Sequence, residues 1–160
     1  MRLWTLVVVV VLGGCATAPF DLSGVDETLT PDAALQQLET VRGRRVAWGG
    51  TIINSRNLKD TTEIEVLGYP LARSGRPDLS APPQRRFLVV RDGYLETADY
   101  RNGRVISAVG AIGGTRSGTV GEAPYVYPVL KADEITLWPI GESRRSEPNI
   151  HFGIGIGILR

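Results

Sequence analysis

Very few groups in this sequence can do chemistry. Its 160 residues include one Cys, Cys15, and one His, His151. One Cys forms no intramolecular disulfide, and one Cys with one His cannot assemble the usual zinc or iron–sulfur ligand sets, so no metal site is expected. Serine–histidine or cysteine–histidine catalysis would depend on His151, which adjoins Phe152 far in sequence from any acid–nucleophile pair and reads as an exposed residue. Cys15 stands in a more informative context. Met1-Arg2 is a positive start, Leu3 to Leu12 is an apolar run broken only by Thr5, and Gly13-Gly14 follow, which is the architecture of a secretory signal. As a helix the run from Leu3 to Leu12 would reach about 15 Å, against the roughly 30 Å that a spanning helix must cross. It is too short for a permanent transmembrane anchor.

Leu12-Gly13-Gly14-Cys15 resembles the lipobox of bacterial lipoproteins, with Leu and two small residues ahead of a Cys. Small neighbours let the backbone enter a peptidase at the membrane while the thiol is alkylated. The resemblance implies that residues 1–14 are removed as a signal peptide and that Cys15 becomes the N-terminus, carrying diacylglycerol on sulfur and a further acyl chain on its amine. No other cofactor is expected. At about 0.8 kcal/mol per buried CH₂, several chains exceed what reversible binding by one chain provides. The competing reading is ordinary cleavage after Ala16-Thr17-Ala18, which would place Pro19, a poor substrate with no N–H and a fixed φ, directly after the cut. Ala16 bears on destination, because lipoproteins retained in the inner membrane resemble one another in carrying Asp at that position. Outer-membrane sorting is therefore the expectation.

The remaining polar constellations are weaker. Glu63 and Glu65 share one strand face, as a paired-carboxylate acid/base device requires, but so would any solvated face opposite Ile64 and Val66. Asp133 and Glu134 fall on opposite faces of a strand and read as solvated. The pairs Arg44-Arg45, Arg85-Arg86 and Arg144-Arg145, with Tyr94, Tyr100, Tyr125 and Tyr127, could line the basic and aromatic face of an oligonucleotide-binding barrel. Charge argues against it. There are 18 Lys+Arg against 17 Asp+Glu, and loss of Arg2 with the signal leaves the exported chain neutral, so no field gathers a polyanion. Nucleic acid is not an expected partner, and an anionic lipid headgroup or glycan is the more plausible ligand.

The elements that must position these groups are mostly strands. With 19 Gly and 10 Pro, many 8 to 12 residues apart, the chain reads as mainly β. Residues 15–28 have little periodicity and read as the lipidated N-terminus and a tether. One short N-terminal helix follows: Thr30 can cap it, Pro31 suits its first position, Ala34, Leu35, Leu38 and Val41 form an apolar stripe, and Gly43 can end it. From Arg45 the period becomes two, with Val46, Trp48, Gly50 and Ile52 on one face and Trp48 a core candidate. Glu63 to Val66, Phe87 to Val90, Val105 to Ile112, Pro124 to Val129 and Glu134 to Trp138 are further extended segments. Gly49-Gly50 and Gly113-Gly114 suit strong coiling or bulges at barrel corners. Five or six such strands predict a small OB-like barrel, closed or partly open, over residues 29–140. Tyr69 to Arg86, with Pro70, Gly75, Pro77, Pro82 and Pro83, reads as a surface loop. Residues 141–160 read as a Gly-rich tail or an edge strand, because Phe152 to Ile158 alternates strictly between apolar residues and glycine.

Across Gly43 to Pro139 the chain resembles the Slp family of outer-membrane lipoproteins. The carriers are Trp48-Gly49-Gly50 with Ile52, Glu63 to Leu67 leading into Tyr69-Pro70-Leu71 and Gly75-Arg76-Pro77, then Arg86-Phe87-Leu88 and Gly93-Tyr94-Leu95. Tyr100, Gly103-Arg104, Val109-Gly110, Gly121-Glu122, Tyr125, Tyr127-Pro128-Val129 and Leu137-Trp138-Pro139 complete the series. The chain departs from the family where Leu95-Glu96-Thr97 stands in place of Leu-Asp-Pro and where Ala72, not an acid, follows Leu71. The resemblance implies a lipid-anchored periplasmic barrel at the outer membrane, linked to starvation and envelope stress, with no established enzymatic activity. Its expected contacts are the membrane, the lipoprotein-processing and sorting machinery, and an envelope protein, glycan or lipid. The alternative from another class is a periplasmic binding module that grips a glycan or phospholipid with the Tyr69 to Arg86 loop and the tyrosines. A hydrolase using Glu63 and Glu65 would require an open cleft.

Overall fold

In a computed structural model, which describes residues 19–140, Thr30 opens the helical segment as its chemistry suggests. Its Oγ1 accepts the Ala33 N–H at 3.2 Å, and Pro31 takes the first helical position, where no N–H is needed. The segment is divided at Gln37 into α1 (Pro31–Gln36) and α2 (Leu38–Val41). Gln37 leaves helical geometry at φ −120° and ψ 25°, but its N–H still donates to Ala33 and its carbonyl accepts from Thr40 and Val41. The break therefore costs few backbone bonds. Ala34 and Val41 bury in the core, and Gly43, at φ +78°, turns the chain into the sheet.

Five strands follow: β1 (Arg45–Asn57), β2 (Thr61–Tyr69), β3 (Arg86–Asp92), β4 (Val105–Val120) and β5 (Ala123–Leu137). They close into a barrel in the order β1-β2-β3-β5-β4, with β1 also paired to β4. All pairs are antiparallel except β3 with β5, where Leu88, Val89 and Val90 face Val129, Leu130 and Lys131. The fold is mainly β and of the small OB-barrel type. The two extended segments expected around Tyr127 and Ile135 are halves of one strand, and the segment expected over Val105 to Ile112 runs on to Val120. Gly113-Gly114 bends β4 without ending it, because a register shift between Ile112 and Gly114 and a φ of +125° at Gly114 absorb the turn.

Alternation along the strands fills the barrel. Val46, Trp48 and Ile52 of β1, Ile64 and Val66 of β2, Phe87 and Val89 of β3, Ile106, Ala108 and Ile112 of β4 and Leu130 of β5 form one core with Ala34 and Val41. The Trp48 indole donates to the Leu29 carbonyl at 2.7 Å and meets the Phe87 ring edge-on at 5.3 Å between centroids. Gly50 is required at its place, since a Cβ there would run into the Leu67 carbonyl of the paired strand.

The outer face of β1 is covered as well. Phe20, Leu22 and Val25 pack on Ala47 and Val109, and Asp26 adds a parallel bridge to Val46, its N–H donating to the Arg45 carbonyl at 2.9 Å. The segment expected to serve as a tether through residue 28 is thus docked on the barrel from Phe20 onward. Its apolar residues bury more surface against β1 and β4 than they would in water, which outweighs the freedom of a short chain. The loop between β2 and β3 also differs from a plain surface excursion. Gly75 and Pro77 are buried, and the Ser107 hydroxyl donates to the Gly75 carbonyl at 2.6 Å.

Candidate functional site

The paired carboxylates lie on the outside of β2, and the structure accounts for both. β4 and β5 extend past the barrel as a hairpin arm, Thr115–Val120 pairing with Ala123–Pro128, and this arm lies over the outer face of β2 and β3. Glu63 is 4% exposed where a solvated residue was the simpler expectation, because the arm brings Arg116 against its carboxylate while Arg56 of β1 donates to Oε1 at 2.9 Å. Glu65 accepts from Arg86 at 2.8 Å and lies 3.2 Å from the Tyr127 hydroxyl, which is 2.8 Å from the Thr119 carbonyl. Burial, and then the Glu65 carboxylate, push the Tyr127 hydroxyl above its ordinary value. A cavity of about 230 Å³ adjoins these groups, and its wall includes Arg56 and Arg116, whose guanidiniums already hold Glu63. The arrangement fastens an arm to a barrel.

The basic and aromatic face dissolves in the same way. Arg44 pairs with Asp26, Arg45 with Asp133, Arg85 with Asp32 and Arg86 with Glu65. The bond from Arg85 to Asp32 holds its guanidinium above the ordinary value, and hydrogen bonds from Thr28, then Arg44, hold Asp26 below the usual carboxylate range. Arg85 also lies over Tyr125 at 5.1 Å, and Tyr125 packs at 4.7 Å against Tyr127. Tyr100 packs against the core, and Tyr94 is 77% exposed. In OB barrels the face of strands 2 and 3 between the β1–β2 and β4–β5 loops takes oligonucleotides. Here the chain's own arm covers it. Glu134 is exposed beside Asp133, as a solvated pair would be. Among the described residues no three His, Cys, Asp or Glu side chains converge as a metal site. Cys15 and the signal segment 1–14, Arg144-Arg145, His151 and the Phe152 to Ile158 alternation of the 141–160 tail lie outside the described residues.

A second cavity, of about 310 Å³, opens between the N-terminal segment and the β2–β3 loop. Phe20, Leu22 and Leu29 form one wall, Tyr69, Pro70 and Leu71 the other, and Ala47 and Trp48 the floor. The loop is held in place from beneath. The Trp138 indole donates to Ser107 Oγ at 2.9 Å, the same hydroxyl that bonds Gly75, and the Arg76 guanidinium lies 5.5 Å from the Trp138 ring centre. At Gly49 a Cβ would press on Leu71 and Pro77, so only glycine allows the loop to seat this closely on β1. Of the cavity residues, the sequence singled out Trp48 as core and Tyr69 to Leu71 as loop. Phe20 and Leu22 were hidden in a stretch too short to show a period, and the arm that buries Glu63 was hidden because Arg116 lies 53 positions away in sequence.

The family model of outer membrane lipoproteins of the Slp family matches residues 12–154. Among curated relatives, the uncharacterized lipoprotein YeaY of Escherichia coli is 28% identical over 129 residues, which cover 79% of this chain and 66% of that protein. An uncharacterized protein of Haemophilus influenzae is 33% identical over 102 residues, covering 63% of this chain and 55% of its own length. The outer membrane protein Slp of Escherichia coli is 28% identical over 151 residues, covering 90% and 78%. The match thus spans just under two thirds of the first of these relatives and about half of the second.

Proposed function

The chain belongs to the Slp family of outer membrane lipoproteins, and from that premise we propose that its barrel is held on the periplasmic side of the outer membrane by acyl chains on Cys15 and serves as a structural or interaction component of the cell envelope under stress. The observation that carries this reading is the docking of Phe20. This ring is 8% exposed against Ala47 and Val109, five positions after Cys15. Five extended residues span at most about 17 Å, so acyl chains on Cys15 would hold the barrel close to the lipid headgroups. The arm over β2 and β3 and the arginine-bound carboxylates support a binding or scaffolding role over a catalytic one. Its partners on this reading are the membrane, the machinery that acylates and sorts lipoproteins, and an envelope component met at the membrane surface.

The test is Cys15→Ser in the full chain, read by intact mass and membrane fractionation. An alcohol cannot replace the thiol in acylation, so the variant remains an unprocessed, unacylated precursor while the parent carries acyl mass on Cys15. A parent protein that begins at Pro19 with no acyl mass overturns the anchored reading.

A further inference from the structure

We propose that the cavity between the N-terminal segment and the β2–β3 loop binds one acyl chain of a phospholipid from the membrane in which the protein is anchored. The inference rests on the anchored reading and gives the domain a ligand class.

The cavity has the right chemistry in the right order. Its lining is apolar and aromatic at Phe20, Leu29, Trp48 and Leu71, with Thr30 and Gln84 adding polar edges, and its volume of about 310 Å³ lies within the range of pockets that bury small ligands, roughly 300 to 1,000 Å³. Its lining also includes Glu27 and Arg73, both exposed, and neither makes an ion pair or side-chain hydrogen bond to another described residue. This separates Arg73 from Arg44, Arg45, Arg56, Arg85, Arg86 and Arg116, each of which is bound to a carboxylate. A guanidinium with no carboxylate partner among the described residues, beside a largely apolar cavity, suits a phosphate ester attached to an acyl chain.

Position supplies the second argument. Phe20 and Leu22 belong to the cavity wall and stand five and seven positions from Cys15. The lipid attachment therefore tethers this wall within about 17 Å of the headgroup layer. Each CH₂ moved out of water is favourable, but a chain leaving the bilayer loses that same gain. The cavity can hold a lipid only by being comparably apolar and by adding the Arg73 contact. That condition favours exchange with the bilayer over permanent capture. The chains of Cys15 itself are the less favourable occupant, since each one withdrawn into the barrel weakens the anchor.

Trp48 in the floor provides the readout. The full-length acylated protein is reconstituted into vesicles of phosphatidylethanolamine and phosphatidylglycerol, with or without bromine at mid-chain, beside Trp48→Phe, whose remaining Trp138 emission is subtracted to leave that of Trp48. Trp48 emission is expected to fall at least two-fold in the brominated vesicles. Ala72→Phe, on an exposed part of the lining, fills the opening and abolishes the quenching with the melting temperature unchanged. Arg73→Glu weakens it without filling the cavity. Equal emission from the two kinds of vesicle overturns the proposal, and so does quenching that Ala72→Phe leaves intact. Acyl mass on Cys15, measured on the same preparation, reports the anchor separately: quenching of Trp48 in a chain that begins at Pro19, without Trp4 and without that mass, would overturn the anchored reading and leave the cavity assignment standing.

Discussion

The carboxylate of Glu63, on β2, is bound by Arg116 from the hairpin arm that β4 and β5 extend beyond the barrel. Glu63 is 4% exposed, whereas the Arg116 side chain is 42% exposed, so a buried anion is held by a cation that still reaches water. With Arg56 on the other side and the neighbouring Glu65, Arg86 and Tyr127 cluster, this contact fixes where the arm lies. The same outer face could serve an OB barrel as its ligand platform. In this chain it is an internal joint.

Glu63→Gln should therefore loosen the arm more than the barrel. Hydrogen bonds to a charged group contribute about 1.5 to 3 kcal/mol, and the exposure of Arg56 and Arg116 reduces the loss toward the lower end. Hydrogen exchange is expected to quicken across Thr115–Val120 and Ala123–Pro128 while the amides of Ile64 and Val89 keep their protection. Equal protection of the arm in both proteins would show that Tyr125, Tyr127 and Val120 hold it by packing alone.

Trp48→Ala should cost about 3 to 5 kcal/mol, because it removes a ring packed on Phe87 and leaves a cavity under the helical segment. Trp48→Phe keeps most of the packing and loses the bond to the Leu29 carbonyl, at about 1 kcal/mol. Urea unfolding of the two variants separates the contributions. A loss below about 1 kcal/mol for Trp48→Ala would contradict the strand register that turns this ring inward.

The barrel was legible in the sequence because its signals are local. Alternation from Val46 to Ile52 turned Trp48 inward, and the glycines at 49, 50, 113 and 114 fell where backbones approach or a strand bends. What the sequence leaves illegible depends on pairs distant along the chain. Glu63 reads as solvated until Arg116 is laid over it, and Phe20 reads as tether until Ala47 and Val109 receive it. Periodicity reports which side of a strand a residue occupies. It does not report whether another part of the chain returns to cover that side.

Stability should fall at alkaline pH through Tyr127. Its hydroxyl titrates higher in the folded chain than the ordinary value of about 10, so the folded state retains a proton that the unfolded state has begun to lose. The resulting stabilisation is full below about pH 10 and is lost as pH rises from there through the folded value. Melting temperatures at pH 9, 10 and 11 should decline for the wild type, and Tyr127→Phe should remove part of that decline while lowering stability at neutral pH by about 1 kcal/mol. Parallel declines in the two proteins would assign the alkaline loss to other groups.

Ala16→Asp should redirect the protein from the outer to the inner membrane. Ala16 follows the proposed lipid-bearing Cys15 and carries no charge, and inner-membrane lipoproteins resemble one another in having Asp at this place. The docking of Phe20 sharpens the expectation, since only Ala16 to Pro19 separate Cys15 from the barrel and any sorting contact must be read within that span. An acid beside the headgroups would strengthen retention, whereas Ala leaves the acylated chain free to be carried outward. Separating the two membranes on a density gradient should find the wild type with the outer membrane and the variant with the inner, with the same acyl mass on Cys15 in each. Wild-type protein banding with the inner membrane would refute the destination while leaving the lipid anchor in place.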